Sequence, residues 1–150
     1  MKKSGFNKHR FVLCTHYSEW EHYHRIRKEQ IFDPINVEYD PNHPTINAPL
    51  HFHLILYKGI NIVAVAHIEF LSESDAVLRS LATDAPYQTQ GFGKEMMILL
   101  EKWIKIEGRQ VIKMHARPSA ENFYRKLGYK ECDFDDQCIQ GNYIDLGKRL

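Results

Sequence analysis

Gln88-Thr89-Gln90-Gly91-Phe92-Gly93-Lys94 decides the reading of this chain, because it joins a strand-like run to a helical run through a pair of glycines. Residues 76–83 form the strand-like run before it. After it, Phe92, Met96, Leu99, Leu100 and Trp103 recur at helical spacing as far as Glu107, while Lys94, Glu95, Glu101, Lys102 and Lys105 face elsewhere. Gly108 is a natural stop. A helix start exposes unpaired N–H groups and the positive end of its dipole, and glycine lets the backbone approach a phosphate without a Cβ in the way. The predicted ligand of this turn is a pyrophosphate. A pair of glycines can also simply close a tight turn, so the surroundings have to decide. No Gly-Lys-Ser/Thr ending makes it a P-loop, and the third glycine of a dinucleotide fingerprint is missing.

Working outward, the runs 50–57 and 60–71 flank Lys58-Gly59, which has the length of a hairpin turn. With 76–83 after Ser72-Glu73-Ser74-Asp75, they predict three antiparallel strands in succession before the helix. Downstream come a strand at 110–115, a helix from about Ser119 to Leu127 ended by Gly128, a strand from Tyr129 and a last strand near 143–146. Upstream, residues 17–32 lack Gly and Pro and carry Trp20, Tyr23, Ile26 and Ile31 on a helical stripe, with Ser18 and Glu21 as the expected cap. Residues 33–49 hold Pro34, Pro41, Pro44 and Pro49 and read as a long surface loop of the kind that carries function.

The 150 residues are the size of one domain, read here as spanning 1–150, and a net charge of +1 with interspersed signs gives no field that would gather nucleic acid or an anionic membrane. Cys14, Cys132 and Cys138 cannot all pair and match no zinc pattern, which fits a reduced compartment. The basic start, Met1-Lys2-Lys3-Ser4-Gly5-Phe6, lacks the apolar run of a signal peptide, and no stretch approaches the roughly 20 apolar residues of a membrane span. A cytoplasmic location is expected.

Gln88-x-x-Gly91-x-Gly93 resembles the Q/R-x-x-G-x-G/A loop of the GNAT acetyltransferases, which lies between that family's fourth strand and third helix. His115-Ala116-Arg117, then Ala120 and Phe123-Tyr124-Arg125-Lys126-Leu127-Gly128-Tyr129, is similar to the family's strand followed by a helix that carries Phe-Tyr and ends at Leu-Gly-Tyr/Phe. The likeness is strong from about Ile60 to Gly128 and fades at both ends. It implies an α+β fold with a mixed, splayed sheet flanked by helices. It also implies acetyl-CoA as the acyl-donor cosubstrate, lying between strands 76–83 and 110–115, and direct transfer of acetyl to a primary amine of a small molecule, protein or peptide.

By the same resemblance Tyr124 is the acid that protonates the departing thiolate, against a plain core reading of an aromatic on a helix. Leu81, Ala82 and Thr83 line the pantetheine. The loop Gln88, Thr89, Gln90, Gly91, Phe92, Gly93 and Lys94 holds the pyrophosphate, and Asn122 is a further cofactor contact. Where some members carry a strand glutamate as base, this chain has Val77. Glu69 is the substitute, because alternation along 60–70 puts it with His67, Val63 and Val65 on one face, and Ile60, Ile62, Ala64, Ala66, Ile68 and Phe70 on the other. His67 and water remain alternatives to Glu69, and a solvated strand end is its bland reading.

The chain has nine histidines, and His51, His53 and His67 invite a metal reading. Register argues against it. A Lys58-Gly59 turn would pair His53 with Ala64 and His51 with Ala66, on the face opposite His67. His16, His22 and His24 read as surface or acceptor-site residues. The expectation is therefore an N-acetyltransferase without a metal, the rival being a non-catalytic acetyl-CoA-binding module. The resemblance leaves a homodimer open.

Overall fold

The computed structural model describes residues 8–136 and 141–150. Cys138 and the basic stretch 1–6 lie outside them. The elements are β1 (His9–Leu13), α1 (Tyr17–Arg27), β2 (His51–Lys58), β3 (Asn61–Phe70), β4 (Asp75–Thr83), α2 (Phe92–Ile106), β5 (Val111–Ala116), α3 (Glu121–Lys126), β6 (Lys130–Glu131) and β7 (Ile144–Arg149). They build one seven-stranded sheet in the order β1-β2-β3-β4-β5-β7-β6. Every pairing is antiparallel except β4 with β5. The β2-β3-β4 meander and the long helix after the glycine loop are as the sequence predicts, and the mixed sheet is as the family resemblance implies. β1 was not predicted.

Each face of the sheet has its own apolar layer. On one, Phe92, Met96, Met97, Leu100 and Ile104 of α2 meet Leu54, Leu56, Ala64, Ala66 and Ile68, and the i, i+4 spacing of those helix residues is what makes the stripe. On the other, Tyr23 and Ile26 of α1 meet Ile55, Ile62, Val65 and Ala82. The helical run after α1 widens into a π turn at Lys28–Phe32, tightens to a 3₁₀ turn at Asp33–Ile35, and ends at Asn36 in the left-handed region (φ 56°).

Several expectations need correction. The start of α1 is not capped through Ser18 and Glu21: Glu19 Oε1 accepts the N–H groups of Thr15 and His16, both at 3.0 Å. The hairpin turn is Gly59-Ile60, since Lys58 pairs with Asn61, and a bulge follows after Tyr57↔Ile62, so that Leu56 meets Ala64. One inserted residue reverses the faces. Ile62 therefore packs under α1 with Val65, while Val63 joins Ala64 on the α2 side. The last strand runs on to Arg149, the helix predicted from Ser119 opens as a 3₁₀ turn at Pro118–Ala120, and Tyr129 is a buried core residue just ahead of β6.

Leu100 is fully buried at the centre of the α2 layer. Leu100→Ala is expected to cost about 2–5 kcal/mol, the range for a leucine truncated in a core that cannot fully collapse. Urea unfolding should show a lower midpoint with an unchanged slope.

Candidate active site

β4 and β5 share only four rungs, from Asp75↔Val111 to Leu78↔Met114. The next residue, Arg79, is the extra one of a bulge, because Ile68 pairs with Leu78 while His67 pairs with Ser80. Beyond it β4 pairs with β3 alone and β5 with β7 alone. The two strands part, and their inner edges keep N–H and C=O groups that no strand satisfies. Backbone polar groups need partners. An extended ligand carrying amides of its own fits such a slot in the manner of an added strand.

The glycine loop stands at the end of that slot. Asp84 accepts the Ala85 N–H (3.0 Å) and takes both forks of Arg25 (3.1 and 3.0 Å), which fixes the end of β4 against α1. Gln88 Nε2 donates to the Thr83 carbonyl (3.1 Å) and to Gln30 Oε1 (2.8 Å). Thr89 (φ 63°) and Gly91 (φ 87°) turn the chain into α2, whose first N–H groups, on Phe92, Gly93 and Lys94, lack helical partners. A Cβ on Gly91 would touch nothing within 4 Å, so backbone conformation and a bare outward surface, not crowding, call for glycine there. At Gly93 a Cβ would come within 3.4 Å of the Phe123 ring. The Phe92 side chain is buried near Tyr87 and His9, leaving only its backbone for a ligand, whereas Thr89, Gln90 and Lys94 are exposed around the opening.

Tyr124 of α3 is 8% exposed, packed edge-to-face on Phe123 (5.0 Å) and Tyr129 (5.8 Å). Burial pushes its phenol above the usual tyrosine range, with the Arg117 charge pulling the other way. Its hydroxyl makes no hydrogen bond to another described residue. Arg117 in turn donates to the Ile31 carbonyl (2.9 Å), which ties the π turn to the segment beside Tyr124. Asn122 is exposed on the same short helix.

Beneath α1 lies a polar layer that the predicted register had ruled out. His53 pairs directly with His67, and His51 with Glu69, so the three histidines share one face. The bulge at β2/β3 and the shifted turn account for the difference. His53 Nε2 donates to the Thr45 carbonyl (2.8 Å), which leaves Nδ1 to accept from the Tyr23 hydroxyl (2.6 Å). His67 stacks on His53 (4.4 Å) and its Nε2 is hydrogen-bonded to His51 Nδ1 (2.8 Å). Among the described residues no group of three or more His, Cys, Asp or Glu is arranged to hold a metal ion.

Glu69 shares this layer but is engaged. Its Oε1 accepts from Arg79 Nε (2.9 Å) and Nη2 (2.6 Å), and its Oε2 lies 3.5 Å from His51 Nε2. Arg79 also forks onto Asp136 (2.6 and 3.1 Å), and Asp136 Oδ2 is 2.8 Å from His115 Nε2. His115 Nδ1 reaches Asp145 (2.7 Å). Sequence reasoning missed Arg27, Arg79, Ser80, Asp136 and the role of His115. A charged and a polar residue interrupting the apolar run 76–83 was the one readable signal, at Arg79-Ser80.

The family model of the acetyltransferase (GNAT) domain matches residues 49–131. A candidate acetyltransferase of Bacillus subtilis is 28% identical over 97 residues, covering 65% of this chain and 64% of that protein. A second Bacillus subtilis protein is 30% identical over 52% of each chain, so the matches span about half to two thirds of these relatives. Among solved structures, a candidate N-acetyltransferase of Lactobacillus plantarum superposes with a TM-score of 0.80 at 14% identity, over 96% of this chain and 99% of that one. The PaiA N-acetyltransferase of Thermoplasma acidophilum, solved with coenzyme A, gives 0.72 at 14% identity over 95% and 99%.

Burial and neighbouring cations, Arg27 among them, hold His53 and His67 well below the usual histidine range. An unfolded histidine protonates near 6.5, so these rings contribute stability that is whole above that pH and falls as pH drops below it. One unit below 6.5 each ring that stays neutral should cost on the order of 1 kcal/mol. Urea midpoints measured from pH 7.5 to 5.5 should decline accordingly, and His53→Gln should flatten the decline.

Proposed function

This chain belongs to the GNAT acetyltransferase family, and from that premise we propose that it passes an acetyl group directly from acetyl-CoA to a primary amine. The observation that carries the reading is the parting of β4 and β5 after Leu78 and Met114, with the open α2 N-terminus beside it. Pantetheine amides complete the free strand edge at Leu81, Ala82 and Thr83. The pyrophosphate rests on the N–H groups that follow Gly91, flanked by Gln88, Thr89, Gln90 and Lys94, with Asn122 a further contact. Coenzyme A, which the Thermoplasma acidophilum protein holds, is on this reading the spent form of the donor here.

In the transfer, the amine lone pair attacks the thioester carbonyl carbon, a C–N bond forms, and the C–S bond breaks as the carbonyl is restored. Backbone N–H groups of β4 polarise the carbonyl oxygen. Tyr124, like any tyrosine a neutral phenol at working pH, gives the sulfur its proton. The amine's proton leaves toward Glu69 through His67 and His51, whose Nε2 and Nδ1 are 2.8 Å apart, with His51 Nε2 3.5 Å from the carboxylate. Proton transfer along this path needs no acetylated side chain.

Acetyl-CoA should raise the melting temperature by mass action, while a pantetheine thioester without the pyrophosphate does so far less. Gly91→Val should remove the shift relative to its own unliganded state, since a β-branched residue at φ 87° is strained and covers the N–H groups. No shift at millimolar acetyl-CoA would sink the proposal.

Tyr124→Phe keeps the ring and removes the hydroxyl, and is expected to lower turnover about 10²- to 10⁴-fold with little change in acetyl-CoA binding. Glu69→Gln and His67→Gln should each steepen the loss of kcat/KM toward low pH, read as thiol release. A wild-type rate in Tyr124→Phe returns that residue to the core. Binding without thiol release from any amine would favour the non-catalytic module.

A further inference from the structure

Arg27 ends α1 at 7% exposure, in the layer between that helix and the sheet. Its guanidinium lies over three rings: Tyr23 at 5.0 Å, Tyr39 at 5.5 Å and Phe32 at 5.9 Å. The one hydrogen bond it makes among the described residues runs from Nη1 to the Tyr39 hydroxyl at 3.3 Å. Its Nε is buried with no partner. Other arginines of this region are neutralised, Arg25 by Asp84 and Arg79 by Glu69 and Asp136, but no described carboxylate pairs with Arg27.

An arginine cannot shed its proton, so this charge persists in the buried layer. Buried charges are ordinarily paired, because leaving them alone is costly. Aromatic faces offset part of that cost but accept nothing from Nε. The other buried polar atom without a partner among the described residues is Ser80 Oγ, in the stretch where β4 has left β5. Ser80 pairs across from His67, His67 stacks on His53, and His53 holds the hydroxyl of Tyr23, the ring beneath Arg27. One unsatisfied group on the helix and one on the strand thus belong to the same layer, beside the slot where transfer is proposed.

Taking the transferase reading as given, we infer that the acetyl acceptor carries a carboxylate, which enters beneath α1 and pairs with Arg27 while its amine reaches toward Ser80 and His67. The free edge of the guanidinium is Nε with Nη2, since Nη1 is turned to Tyr39. Two parallel N–H donors on a planar edge match the two oxygens of a carboxylate. The acceptor class is therefore amino-acid-like rather than polycationic. Simple alkylamines and polyamines would leave the Arg27 charge unanswered and add another cation beside it.

The test uses matched pairs: lysine with cadaverine, phenylalanine with phenethylamine, leucine with isopentylamine, and 4-aminobutyrate with propylamine. Each is assayed by thiol release from acetyl-CoA. At least one acid should exceed its carboxylate-free partner by about tenfold or more in kcat/KM. Arg27→Gln should bring that ratio to near one and leave the acetyl-CoA thermal shift in place, and Arg27→Lys should keep part of it. On the wild-type protein saturated with CoA, the Arg27 Nε–H resonance should move with the preferred acid and not with its amine partner, a reading that survives if Arg27→Gln fails to fold. Amines that match or surpass their acids, a ratio untouched by Arg27→Gln, or an Nε–H resonance that no acid moves would overturn the inference. Failure of acetyl-CoA to bind would instead overturn the transferase reading beneath it.

Discussion

The carboxylate of Asp136 sits where the sheet divides. Arg79 reaches it from the bulge of β4 and His115 from the end of β5, at 2.6 and 2.8 Å, just past the last shared rung. Parallel strands left to themselves would continue their ladder. Here the inserted Arg79 breaks the repeat, and the ion pair spans the widening gap instead of closing it. Glu69 and Asp145 extend the same network to β3 and β7, so a separation that removes backbone hydrogen bonds is held by side chains on both banks. The slot proposed for acetyl-CoA exists because of this exchange.

The two faces of the sheet then divide the work. The α2 face is apolar and continuous, from Leu54 to Leu146, and supplies the burial that holds the fold. The α1 face carries the smaller apolar cluster and, next to it, three histidines, Arg27 and the Glu69–Arg79 pair. Such polar burial lowers stability wherever it is incompletely satisfied. Its retention beside the slot suits the acceptor site proposed there, with groups able to move a proton and groups left open for a substrate. Helix α1 is fixed over them by the Arg25–Asp84 fork, which also anchors the glycine loop, so the proposed donor and acceptor sides share one support.

Much of the architecture was legible in the sequence because periodicity and glycines report it directly. Met96, Leu100 and their neighbours set the helix, Gly91 and Gly108 its ends, and the run 76–83 the strand before it. What escaped depended on single-residue register. Alternation along β3 placed Glu69 and His67 correctly, yet the bulge at Val63 reversed Ile62 and carried His53 and His51 to the face of His67. No local signal announces a bulge of that kind. β1 is five residues with a polar start, and its strand character comes from pairing with β2. Arg27 reads as one more exposed cation on a polar helix, and only the fold of residues 33–49 over it, bringing Tyr39 to its side, makes it a buried one.

Amide NMR of the ¹⁵N-labelled chain, titrated with CoA, tests most directly whether the gap between β4 and β5 is the donor slot. Leu81, Thr83, Gly91, Gly93 and Lys94 should shift together as one binding event, while amides of β1 and of β2 away from the slot stay in place. Shifts confined to the outer faces of α1 or β1, with residues 81–94 unmoved at saturation, would contradict it.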